Sequence, residues 1–222
     1  MDTFKDRTAA GRALAQVLGA KRYIDPIVLA LPRGGVPLAV EVAQELDAPL
    51  DLVMVRKIGV PSQPEVAVAA VVDGTHPELV VNETIAAHAG LSRQDIDQLA
   101  QVQLEEIKRR RAVYLKGKAS VQVKGRTVII VDDGIATGAT VRAALRAVQR
   151  QKPWKLILAV PVASAEALSE LRGEVDEIIC LMMPKVFYAI GAYYGDFKQV
   201  SDDEVIELLA QINRKSSDVA KA

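Results

Sequence analysis

With 222 residues, half of them hydrophobic and a quarter charged, the chain has enough apolar material for a sizeable core and too much for a disordered polymer. Acidic and basic residues balance at 28 each, which argues against a generally basic nucleic-acid surface. One cysteine, Cys180, and two histidines leave no disulfide framework and no zinc constellation, while the Met1–Arg7 start and the short apolar runs lack a signal-peptide or membrane-spanning pattern. The expectation is a soluble, cytoplasmic protein with Cys180 as a buried core thiol.

In chain order, an amphipathic helix is predicted from about Thr8 to Leu18, with Ala10, Leu14, Val17 and Leu18 on one side. Ile27 to Leu31 reads as a buried strand. It ends at Pro32-Arg33-Gly34-Gly35-Val36-Pro37, and a helix follows to about Leu46. Two glycines beside an arginine suit close backbone approach to a polyanion, although a capped turn with a solvated arginine uses the same residues. Leu50 to Val55 is the next strand, running into Arg56 to Glu65, where two prolines, a glycine and adjacent cations predict a polar loop. Val66 to Val72 and Glu78 to Val81 predict a hairpin around Asp73 to Pro77, with His76 an exposed turn residue. His88 falls in a short helical stretch. Ser92-Arg93-Gln94-Asp95 is a capping-box variant opening a helix to about Leu115. On that helix, Lys108 to Arg111 is a basic run. Without interleaved aromatics it reads as a solvated face in preference to an RNA-binding strip.

The most informative stretch is Val128 to Thr140. Val128-Ile129-Ile130-Val131 is a β-branched apolar run suited to a strand buried on both faces of a parallel sheet. Two carboxylates, Asp132 and Asp133, follow, then the small turn Gly134-Ile135-Ala136-Thr137-Gly138-Ala139-Thr140 and a strong helix pattern. Unpaired amides and the dipole at a helix start bind anions, most naturally a phosphate. The turn has no Lys or Arg, so binding would rest on backbone amides, with Thr137 and Thr140 adding hydroxyls. The acids would repel a phosphate beside them and fit sugar hydroxyls better. A ligand with a phosphate next to a vicinal diol satisfies both halves. No Gly-Lys-Ser/Thr follows, and the glycine spacing does not match a dinucleotide fingerprint.

Further on, Lys155 to Val162 and Val175 to Met182 read as strands around a short helix from Glu166 to Leu171. Five of the nine aromatics cluster as Phe187, Tyr188, Tyr193, Tyr194 and Phe197, a flat wall for a planar base or a small secondary core. A closing helix is predicted from Asp202 to Ile212. Alternating strands and helices predict an α/β fold with a doubly wound, mostly parallel sheet flanked by helices.

The thirteen residues from Val128 to Thr140 resemble the 5-phosphoribosyl-1-pyrophosphate (PRPP) signature of the type I phosphoribosyltransferases: four apolar residues, two acids, then x-x-x-Thr-Gly-x-Thr. Leu31–Pro37 resembles the pyrophosphate loop of the same family, and Arg56–Glu65 its mobile catalytic loop. The resemblance implies a single domain over residues 1–222, with a core from about 25 to 182 and a small hood from about 1–24 and 183–222. It implies transfer of a phosphoribosyl group from PRPP to a nucleobase-like acceptor, with Mg²⁺ carried by the diphosphate and no protein ligand to the metal directly assigned. Arg33, Lys57, Asp132 and Asp133 would be catalytic, with the two acids on the ribose. Gly134, Ala136, Thr137, Gly138, Ala139 and Thr140 would hold the 5′-phosphate. Arg33, Gly34, Gly35, Arg56 and Lys57 would hold pyrophosphate, Phe187 and Tyr188 would face the acceptor, and the Pro32–Arg33 bond falls where relatives often have a cis peptide. A homodimer is implied; membrane and nucleic-acid partners are not. The alternatives are a PRPP- or nucleotide-sensing regulator without turnover and an RNA-binding protein using Arg109–Arg111.

Overall fold

The computed structural model describes residues 3–73, 77–118 and 120–219, with side chains as far as residue 212. The first half of the chain runs α1 (Arg7–Gly19), β1 (Pro26–Ala30), α2 (Gly35–Glu45) and β2 (Leu50–Leu52). It then folds back on itself through β3 (Val55–Val60), β4 (Gln63–Val72) and β5 (Glu78–Val81). Helices α3 (Glu83–Ala89) and α4 (Arg93–Leu115) lead to β6 (Thr127–Val131) and α5 (Ala139–Arg150). The chain closes with β7 (Lys155–Val162), α6 (Ala165–Leu171), β8 (Glu177–Met182), a 3-10 turn at Ile190–Tyr193 and α7 (Asp202–Val219).

β1, β2, β6, β7 and β8 form an all-parallel sheet in the order β2-β1-β6-β7-β8. Successive side chains on a strand point to opposite faces, and both faces of this sheet are covered. Val28, Ala30, Ile129, Val131, Ile157 and Ala159 join a core shared with α1, α2 and α7. Ile27, Leu29, Val128, Ile130, Leu156 and Leu158 join the other, with α5 and α6. At roughly 1.5–3 kcal/mol for each fully buried aliphatic, register is strongly specified here, because a one-residue slip would exchange the two faces.

The expected loop at Arg56–Glu65 is a hairpin instead. β3 and β4 pair antiparallel from Val55↔Val72 to Val60↔Gln63, leaving only Pro61 and Ser62 as the turn. Ile58 and Val60 are buried, which gives the strand its reason to form. Gly59 sits at a register shift, where a Cβ would come within 2.3 Å of the Pro64 carbonyl oxygen. The residues that read as breakers serve as tip and bulge. β4 and β5 form the second hairpin; His76 lies outside the described residues.

Two further expectations change. Lys108 and Arg109 do face solvent, but Arg111 turns inward. It donates to both Asp51 oxygens at 2.6 and 2.8 Å, to Asp73 Oδ2 at 2.7 Å and to the Leu52 carbonyl at 2.9 Å. This ties α4 to the ends of β2 and β4. Cys180 is half-buried on edge strand β8, its thiol pushed up by burial. As for the hood, α1 packs on α2 and the main sheet as a layer helix, while Phe4 and Lys5 before it and Arg7 at its start bond the C-terminal segment. Among the described residues, no helix is long and apolar enough to cross a membrane.

Candidate functional site

β1 and β6 are neighbours, but the chain leaves β1 for β2 on one side and β6 for β7 on the other, with α2 and α5 on opposite faces. The loops after these two strands diverge at this reversal, which opens a crevice at the carboxyl ends of the strands. Leu31 N–H donates to the Val131 carbonyl at 3.0 Å, bringing the loops together at their roots. A Cβ on Gly35 would lie 2.5 Å from the Val131 oxygen, and one on Gly34 would lie 2.1 Å from Asp133 Oδ2. Both glycines are therefore required by contact with the neighbouring loop. The Pro32–Arg33 peptide is cis.

The turn after β6 is braced from below. Ile135 is buried, its amide bonded to the Val162 carbonyl and its carbonyl to the Ser164 amide, both at 3.0 Å; Ser164 Oγ holds the Ala136 carbonyl. Gly138 adopts φ +75° as N-cap of α5, a conformation that favours glycine. Among the described residues, the amides of Ala136, Thr137, Gly138, Ala139 and Thr140 donate to no protein acceptor. Ala136, Thr137 and Ala139 are exposed. The result is a rigid turn of unpaired N–H groups at a helix start, without a side-chain cation.

Both acids stand at the crevice. The Asp132 carboxylate accepts the Asp133 amide at 2.9 Å. Asp133 is buried and receives Arg7 Nε on Oδ2 at 2.8 Å. Burial pushes both carboxyls upward, and for Asp132 the neighbouring Asp133 charge adds to it. Arg7 opposes this by hydrogen bond and charge at Asp133. Asp133 is thus the member better held as an anion. Arg7 also donates to the Lys198 carbonyl at 2.7 Å and lies 3.9 Å over the Phe197 ring. Tyr194 donates its hydroxyl to the Asp133 carbonyl at 2.6 Å.

The cations expected at the diphosphate are placed apart. Arg33 stands on the glycine loop, 3.4 Å from Asp202 at the start of α7, and Asp202 also accepts the Tyr114 hydroxyl at 2.6 Å. Arg56 and Lys57 are adjacent on a strand and so point to opposite faces. Arg56 bonds Gln103 of α4 at 3.0 Å, whereas Lys57 lines a cleft of about 380 Å³ with Ala139, Arg142 and Ala143 of α5. Of the three expected cations, Lys57 is therefore the one turned toward α5. Phe187 stacks on buried Tyr193 at 5.6 Å, while Tyr188 is 76% exposed. No group of three or more His, Cys, Asp or Glu among the described residues could hold a metal ion. A Mg²⁺ here would take its oxygens mainly from a bound diphosphate and water, as that ion commonly does.

Residues 3–198 match the family model described as a phosphoribosyl transferase domain. The chain belongs to the phosphoribosyl transferase family. Two Mycobacterium tuberculosis proteins, from strains CDC 1551 / Oshkosh and ATCC 25618 / H37Rv, are each 42% identical over 214 residues, 96% of this chain, and are named provisionally as phosphoribosyl transferases. The chain spans about half the length of these curated relatives, covering 48% of each. The crystal structure of TT1426 from Thermus thermophilus superposes with a TM-score of 0.81 at 40% identity, covering 95% of this chain and 99% of that one. A Neisseria gonorrhoeae protein solved with bound ppGpp shares the fold at a TM-score of 0.51 and 15% identity, with 94% of each chain covered. Within this phosphoribosyl transferase fold, Arg7, Asp202 and Tyr114 are site neighbours that sequence reasoning does not find, and Tyr194, expected only within the aromatic cluster, stands instead on the Asp133 carbonyl. Their partners lie between 61 and 169 positions away, beyond any local pattern.

Proposed function

We propose that the protein transfers the 5-phosphoribosyl group of PRPP to a nucleobase-like acceptor with release of pyrophosphate, as part of nucleotide metabolism. The observation that carries this is the meeting, at one sheet reversal, of a turn of unpaired amides, an acid pair and an Arg-Gly-Gly loop. The amides and hydroxyls of Ala136 to Thr140 receive the 5′-phosphate, and Gly134 lets the chain turn into them. Asp132 and Asp133 accept the ribose hydroxyls through the oxygens that face the crevice. Arg33 and the Gly34–Gly35 amides take the diphosphate, with Lys57 reaching it from β3; Arg56 joins only if it leaves Gln103. Mg²⁺ carried by the diphosphate supplies charge neutralisation. The C1′–oxygen bond breaks with the electron pair leaving on pyrophosphate, and the acceptor forms the new bond at C1′ and gives up its proton to the departing pyrophosphate. Charge on the sugar develops beside the acid pair, where it is stabilised. Phe187 and Tyr188 are the wall against which a planar acceptor would lie. A cytoplasmic homodimer belongs to the same proposal.

Incubation with Mg·PRPP and a panel of nucleobases, following pyrophosphate, tests it. Base-dependent release that is lost in Asp132→Asn/Asp133→Asn supports transfer. PRPP binding without release against any acceptor supports nucleotide sensing instead, which the pairing of Arg33 with Asp202 favours. Absence of PRPP binding removes both.

A further inference from the structure

The side chain nearest the acid pair comes from the far end of the chain. Arg7 is the first residue of α1, and its guanidinium is enclosed on three sides. Nε meets Asp133 Oδ2, one terminal nitrogen meets the Lys198 carbonyl, and the planar face lies on Phe197. The Arg7 and Asp133 side chains are only 11% and 12% exposed. Burying a guanidinium is costly unless it is well paired, so its placement needs a reason beyond joining the two segments. That junction already has its own bonds. Phe4 N–H donates to Tyr193 O, Gly195 N–H to Phe4 O and Asp196 N–H to Lys5 O, at 2.8–2.9 Å, and the Phe4 and Tyr194 rings are in contact.

The Asp133 carboxylate is fixed from both sides. Arg7 holds Oδ2, the Gly34 backbone closes on the same oxygen, and Tyr194 holds the carbonyl of the same residue. Oδ1 accepts no hydrogen bond from another residue among those described and is left for a ligand. We propose that Arg7 is the positioning residue of the site: it locks the Asp133 carboxylate, charged and in one orientation, so that its free oxygen is presented to the ribose of PRPP. This rests on the phosphoribosyl reading above and adds a residue to it. Arg7 also opposes protonation of Asp133 by hydrogen bond and charge, and of Asp132 by charge alone. The groups facing Asp133 are Arg7 from α1, Asp132 from the same strand end, and Tyr194 from the C-terminal segment. Asp196 of that segment is close enough to feel Arg7 and is itself paired with Lys198, while Arg33 of the facing loop is turned to Asp202. Among the described residues, Arg7 is thus the cation on the acid pair.

Calorimetric titration of the full chain with Mg·PRPP, repeated from about pH 5 to pH 8, tests the assignment. Arg7→Met is expected to bind about tenfold more weakly or worse at neutral pH, the scale of one lost charged hydrogen bond. Its acid limb should also move to higher pH, because Asp133 then takes up a proton more readily. A purely structural arginine would reduce the folded fraction and leave the acid limb in place, and that result overturns the proposal, as does unchanged affinity. If Arg7→Met does not fold, Phe197→Leu loosens the guanidinium while keeping its charge. Intermediate values in both readouts are then expected, and wild-type values in both overturn the proposal. A wild-type protein that binds no Mg·PRPP overturns the functional reading and this one together; a binding wild type with an indifferent Arg7 removes this one alone.

Discussion

Replacing Gly34 with alanine tests the link between the two loops at the site. The new Cβ would lie 2.1 Å from Asp133 Oδ2 and 2.6 Å from its Cγ. Ordinary non-bonded contact needs about 3.5 Å, so the carboxylate must retreat by roughly 1.4 Å or the loops must separate. Retreat is opposed by Arg7 at 2.8 Å on the same oxygen. Breaking that charged hydrogen bond costs about 1.5–3 kcal/mol, and separating the loops falls in the overpacking range of about 1–3 kcal/mol. Either route predicts a destabilisation of about 1–3 kcal/mol. For a domain of this size that lowers Tm by roughly 2–12 °C. PRPP affinity measured by calorimetry should fall about tenfold, because the acid pair loses its fixed geometry. The same substitution made on Arg7→Met should cost less, since an unclamped carboxylate can swing away; the double-mutant cycle measures that coupling. If Gly34→Ala melts and binds PRPP like the wild type, the carboxylate does not stand against Gly34 and the geometry is wrong.

Arg111→Met leaves Asp51 and Asp73 buried without their cation and is expected to cost about 3–5 kcal/mol in urea unfolding, with much of it recovered when Asp51→Asn and Asp73→Asn are added. Gly138→Ala forces alanine into φ +75°, so about 1–2 kcal/mol of stability and a clear part of phosphate affinity should be lost together, read by thermal melts and PRPP titration. The Asp132 carboxyl is held above its ordinary value of 3.8, first by burial and then by Asp133. Its ionisation therefore weakens the fold as pH rises from that value through the folded one. Asp132→Asn should make the protein more stable than wild type at neutral pH, with the difference gone below about pH 4, while PRPP binding falls; equal denaturation midpoints at pH 7 would contradict this.

The sheet was legible in the sequence where chemistry is local. Val128 to Val131 is fully apolar because both sheet faces are covered, and its partners Ile27 to Ala30 and Leu156 to Ala159 read the same way. Caps were legible too, since Ser92 and Asp95 form the reciprocal box that their spacing allows. The β3–β4 hairpin was hidden because Gly59, Pro61 and Pro64 usually interrupt strands; here they occupy a bulge, a two-residue turn and an exposed arm, and only the burial of Ile58 and Val60 on other elements makes the strand worthwhile. The helical run Lys108–Arg111 shows the same limit. Arg109 and Arg110 both return to Glu106, one turn away, whereas Arg111, about 100° further round, meets carboxylates 38 and 60 positions back.

Within the site, this division between near and far separates two kinds of residue. Groups proposed to touch the ligand sit in short stretches, because a turn of amides and the acids beside it must be contiguous to share one phosphate and one sugar. Groups that hold those stretches in place come from anywhere: Arg7 on Asp133 across 126 positions, Asp202 on Arg33 across 169, Tyr194 on the Asp133 carbonyl across 61. A motif can therefore name the contacts without naming what makes them rigid. Transplanting Asp132–Thr140 onto another strand–helix junction would reproduce the amides and the acids. Without an arginine on the second acid, however, burial would favour a proton on that acid, and the diol would meet a neutral carboxyl where it needs an anion.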